Sequence, residues 1–153
     1  MPTLPTSADR PSRLSLAIHT LVVTLLLLSF ISGLMLWFGP LLGRQADELL
    51  PPKPARIWVV LHGGLYPFLC VIFGYLLCQH IRYGWELRAN RGTGALMEGI
   101  FAALILTALG LYYGPETWRE ALVWAHRVLG LLLPLALAAH WLAARAWVKT
   151  ISK

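Results

Sequence analysis

The chain has 153 residues, 58% hydrophobic and 13% charged, with a mean hydropathy of +0.64. A soluble domain carries about a quarter charged residues, so twenty Lys, Arg, Asp and Glu side chains cannot solvate a globule of this size, and a water-soluble fold is excluded. The net charge of +6 does not point to nucleic acid, because the basic residues are scattered between apolar runs and form no stripe that phosphates could track.

The first apolar stretch, residues 14–38, is too long for the core of a secretory signal. It ends in Trp37-Phe38-Gly39-Pro40 instead of a small-residue cleavage site, so it is expected to stay as a membrane helix. A loop of about 18 residues holding Pro51, Pro52 and Pro54 leads to the second stretch, residues 57–81. That stretch contains the two cysteines, Cys70 and Cys78, too few for a disulfide framework or a Cys-based zinc site and read as small buried hydrophobes. The third stretch, residues 95–113, is joined by a very short link to the fourth, residues 121–148. Gly39-Pro40 and Gly114-Pro115 are expected to close the first and third helices, glycine taking a left-handed cap and proline being unable to continue the ladder. Each stretch reaches the roughly 20 residues needed to span hydrocarbon. The prediction is an all-α, integral membrane four-helix bundle forming a single domain over residues 1–153.

Lys and Arg divide eight to five between the two sides, with Arg10, Arg13, Arg82, Arg88, Arg91, Arg145, Lys149 and Lys153 on the side that holds both termini. Positive charge is retained in the cytoplasm, so both termini are expected there. Trp37, Trp58, Trp118 and Trp124 then fall near the outer interface, and Trp85 and Trp147 near the inner one.

Four of the five histidines lie well inside these spans and the fifth, His80, at the edge of the second; ionisable groups at such depth are costly and usually functional. His19 sits near the inner end of the first helix and His62 near the outer end of the second, while the fourth helix offers His126 near its outer end and His140 near its inner end. The last two are 14 residues apart, about 40° short of four full turns, so they share a face at levels about 21 Å apart. Matching by depth pairs His62 with His126 and His19 with His140. Two imidazole pairs, one above the other, are what two haem planes need when both axial positions of each iron are filled. The split into twos argues against zinc, which takes four ligands at one depth. His80 lies 18 residues after His62, five whole turns on, at the cytoplasmic boundary beside Gln79 and Arg82. It is read as an interfacial residue, with a quinone contact or a supporting hydrogen bond as the other reading.

Gly33, Gly63, Gly64, Gly74 and Gly130 give room for a broad, flat group, and Pro67 and Pro134 each follow a glycine by four residues, where a kink is least obstructed. Arg56 and Arg127 are candidates for the carboxylates of an outer haem, and Arg13 and Arg145 for those of an inner one.

On these residues the chain resembles the small bacterial di-haem cytochrome b group of four-helix membrane proteins, which includes formate dehydrogenase gamma subunits, the b-type cytochromes of nickel-iron hydrogenases and bacterial cytochrome b561. The resemblance spans residues 14–148. It implies that His19, His62, His126 and His140 ligate two haem b groups, and that the protein sits in the bacterial inner membrane. There it would serve as the electron-transfer subunit of an oxidoreductase, without a catalytic site for the primary substrate. It further implies redox enzyme subunits or an electron-carrying subunit on the periplasmic side, and a quinone near the inner haem. Asn90, Arg91, Gly92 and Thr93, in the loop between the second and third helices, are the candidates there, together with His80. Two other functions use the same residues. One is a haem-free transporter or assembly protein with a histidine proton or metal path; the other is a stand-alone quinol-oxidising cytochrome b.

Overall fold

The computed structural model describes residues 16–42, 53–86 and 90–151. Among them there is no strand, as expected where backbone polar groups in hydrocarbon must be satisfied within their own segment. The elements are α1 (Leu16–Leu42), α2 (Lys53–Leu76), a π-helical turn (Leu77–Ile81), α3 (Arg82–Glu86), α4 (Arg91–Tyr113), a 3₁₀ turn (Glu116–Trp118) and α5 (Arg119–Ile151). Four helical stretches are long and apolar enough to cross a membrane: Leu16–Phe38, Arg56–Glu86, Arg91–Tyr113 and Glu116–Ala146.

Two helix ends differ from expectation. α1 runs through Gly39-Pro40 to Leu42. A proline this close to the end of a helix removes one bond from the ladder and leaves only a short remnant beyond it. Gly114 closes α4 in an extended conformation (φ −75°, ψ 162°) and not in the left-handed one. Its N–H bonds to the Gly110 carbonyl at 2.7 Å. A Cβ there would run into that carbonyl, so the glycine serves close approach. The left-handed residue is Asn90 (φ 49°, ψ 32°) at the start of α4, a residue type that tolerates this region. Its carbonyl accepts the Gly94 N–H at 2.9 Å and the Thr93 hydroxyl at 3.3 Å.

The second span also departs from a plain α-helix, because α2 passes into the π turn, whose closing bond runs from the Arg82 N–H to the Leu77 carbonyl. Pro67 and Pro134 lie inside helices that continue past them.

α1 packs along α2 and α4 along α5, while contact between the two hairpins is sparse. Where the helices do converge, Ile72, Leu76 and Phe101 are buried together, surrounded by Val22, Leu25 and Leu26 of α1, Ile105 of α4 and Leu133 of α5. Large apolar side chains elsewhere point outward, among them Val71 at 73% exposure, Leu106 at 65% and Leu135 at 66%. Water would penalise each of these, and lipid does not. Cys70 is half-buried, but Cys78 is exposed. The expectation of two buried cysteines therefore fails for Cys78, which lies in the π turn.

Candidate cofactor-binding site

The histidines meet in twos. His62 of α2 faces His126 of α5 with ring centroids 6.1 Å apart and planes at 90°. His80, within the π turn, faces His140 of α5 at 6.3 Å and 82°. Two imidazoles ligating one metal from opposite sides through metal–nitrogen bonds of about 2.0–2.1 Å hold their centroids about 6.3 Å apart. Both separations fit that arrangement. Among the described residues no group of three or more metal-ligating side chains converges.

At His62 the partner itself fixes which ring nitrogen is free. His62 Nδ1 lies 3.0 Å from the Ser29 carbonyl oxygen and 3.0 Å from Ser32 Oγ. A carbonyl only accepts, so Nδ1 carries the proton; the Ser32 hydroxyl spends its own proton on the same carbonyl at 3.0 Å. His126 Nδ1 is 2.8 Å from Thr107 Oγ1, and that hydroxyl donates to the carbonyls of Ala103 at 2.8 Å and Leu104 at 3.1 Å. His140 Nδ1 is 3.1 Å from Thr93 Oγ1, whose proton goes to the Asn90 carbonyl. At His62 the carbonyl puts the proton on Nδ1 and leaves the Nε2 lone pair free; at His126 and His140 the hydroxyl oxygen accepts from Nδ1–H when its own proton stays on the helix carbonyl. This is how metal-binding histidines are oriented.

Serine and threonine work here because a helix offers them a carbonyl three or four residues back. Ser32 is fully buried at 0% exposure. Of these partners, Ser29, Ser32 and Thr107 were not singled out from sequence, and Thr93 was named only as a quinone candidate. The available signal is a Ser or Thr in a neighbouring span at the depth of a histidine.

Small residues clear space for the rings. A Cβ on Gly33 would stand 3.1 Å from His62 Cε1, and one on Gly94 3.7 Å from His140 Cε1. Gly64, Gly74 and Gly130 have nothing within 4 Å of where a Cβ would be. Gly63 instead sits against the Tyr112 hydroxyl.

His19 is exposed on α1 and, among the described residues, makes no hydrogen bond or ring contact. The ring set against His140 belongs to His80, not to His19. The guanidinium of Arg127 lies over Trp37 and Trp124, at 5.3 and 5.6 Å from the ring centroids, and that of Arg145 over Trp141 at 3.5 Å. Arg56 is exposed at the start of the second span, and Arg13 lies outside the described residues.

Below the Ile72, Leu76 and Phe101 core, a small cleft of about 60 Å³, open on one side, is lined by His80, Asn90, Arg91, Glu98, Phe101 and His140, among others. Arg91 is held there by donating to the Trp85 carbonyl and lying 5.2 Å over the Trp85 ring. Gly92 is exposed nearby on α4. Glu98, half-buried inside a helix long and apolar enough to cross a membrane, was not singled out from sequence; its depth is the signal that marks it. Compared with protein-family models, curated proteins and solved structures, the chain finds no match.

Proposed function

We propose that this chain is a membrane-anchoring di-haem cytochrome b that conducts electrons across a bacterial inner membrane, between a redox enzyme on the outer face and the quinone pool. One observation carries the reading: histidines stand in facing pairs at two levels, 6.1 and 6.3 Å apart, and three of them have Nδ1 within hydrogen-bond distance of a carbonyl or hydroxyl oxygen. Bound there, each haem would be held by a pair of histidines and would supply a one-electron iron couple.

The residues have distinct tasks. His62 and His126 hold the outer group; His140 holds the inner one together with a second histidine, His19 or His80. The Nδ1–H bonds fix ring rotation and raise the basicity of Nε2. Gly33 keeps the His62 ring unobstructed. Arg127 and Arg145 place a cation beside each level for the carboxylates of the cofactor, their stems and guanidinium faces supported by indoles. The cleft below the core offers a flat apolar ligand an aromatic wall at Phe101, with Asn90, Arg91 and Glu98 as polar and proton-exchanging groups. That is the chemistry a quinone head requires.

The test is a reduced-minus-oxidised spectrum of the purified full chain with its haem-to-protein ratio. Two low-spin b-type haems per chain are expected, all released by acid-acetone, since no Cys-x-x-Cys-His attachment sequence is present. Protein recovered haem-free from haem-replete cells would end the proposal.

A further inference from the structure

We infer that His80, and not His19, completes the inner site opposite His140, so that α2 with its π-helical continuation and α5 hold both sites between them. The inference rests on the di-haem reading and sharpens it.

The two levels repeat each other. At the outer level a histidine from the second span meets one from α5 at 6.1 Å with planes at 90°, and at the inner level the same two strands of the bundle bring rings to 6.3 Å and 82°. The spacing on the two helices is unequal: 18 residues from His62 to His80 against 14 from His126 to His140, or about 27 Å against 21 Å of regular helix. A straight α-helix would carry His80 about 6 Å past the level of His140. The π turn Leu77–Ile81 contains His80 and packs an extra residue into one turn, which takes up part of that excess. Such turns are rare and concentrate at functional sites.

α1 has another task at the outer level, where Ser29 and Ser32 orient His62. Its own histidine, His19, has no hydrogen-bond or ring partner among the described residues. His80 makes no hydrogen bond among the described residues either, which leaves both of its ring nitrogens available.

The experiment uses the full chain, purified in detergent from haem-replete cells, as wild type, His19→Ala, His80→Ala and His80→Met. The readouts are haem per chain and the number of low-spin ferric centres by electron paramagnetic resonance. His19→Ala should keep two low-spin centres. His80→Ala should keep one, the other haem being lost or turned high-spin. His80→Met should retain two haems, with one centre moved to a higher potential, the direction that Met in place of His produces. If His80→Ala does not accumulate, the His19→Ala and His80→Met arms decide. Loss of a centre in His19→Ala, or two unchanged centres in His80→Ala or His80→Met, overturns the assignment while leaving the di-haem reading intact. A haem-free wild type overturns both.

Discussion

Thr107 Oγ1 lies 2.8 Å from His126 Nδ1 while its own proton is shared between the carbonyls of Ala103 and Leu104. The hydroxyl therefore acts as a relay of helix polarity: it converts a backbone acceptor four residues back into an acceptor aimed at a different helix. Thr107→Val keeps the shape and removes that acceptor. Orienting partners of metal-binding histidines are typically worth about 10- to 100-fold in affinity. The expected result is weaker outer haem retention by about that factor during dilution or competition with apomyoglobin, with Thr107→Ser close to wild type. Equal retention in Thr107→Val and wild type would show that the bond does not orient the ligand.

Gly33 and Gly94 should answer differently to the same change. A Cβ at Gly33 would press on His62 at 3.1 Å, whereas at Gly94 it would make ordinary contact with His140 at 3.7 Å. Gly94→Ala is expected to leave both centres unchanged. Gly33→Ala puts its methyl group in the tighter place and should deplete the outer centre alone. Spectra of the two variants at matched protein concentration compare them directly, and the reverse pattern would mean that the rings sit elsewhere when loaded.

Replacement of either α5 histidine should act on one level only. About 21 Å of helix separates His126 from His140, and the apolar layer around Leu133 lies between them. His126→Ala is expected to remove the outer centre and His140→Ala the inner, each leaving one low-spin centre with near-native potential. Loss of both from a single variant that inserts normally would contradict two independent sites.

What could be read from sequence, and what could not, divides along a physical line. Spans are set by hydropathy, so four apolar stretches were visible at once. The meeting of His62 with His126 followed from depth and helix periodicity. Helix type is another matter: nothing in the composition of Leu77-Cys78-Gln79-His80-Ile81 distinguishes a π turn from an α turn, since the choice depends on what the neighbouring helices leave room for. His80 was therefore placed at the boundary and not against His140. Hydroxyl partners were equally hidden, because Ser and Thr are ordinary residues in membrane helices and only the three-dimensional pairing shows which of them face a ring.

The inner cleft yields a prediction about inhibitors. A quinone-site inhibitor should shift the spectrum or potential of the centre that contains His140, because His140 lines the cleft together with Asn90, Arg91 and Glu98. Arg91→Ala, which removes a side chain pinned to Trp85, should weaken that response several-fold. An inhibitor that perturbs only the His126 centre would place the quinone at the outer face.

The layer formed by Ile72, Leu76 and Phe101, with Phe73 and Phe101 rings 5.0 Å apart, is built from apolar side chains drawn from all four long helices. Water entering it would find none of the two to four partners that hold a buried molecule in place. A proton needs such a chain of partners to cross; an electron does not. These apolar side chains offer ions no partners at the depth where the bundle is proposed to conduct electrons, which would keep charge separated between the two levels from leaking back past them.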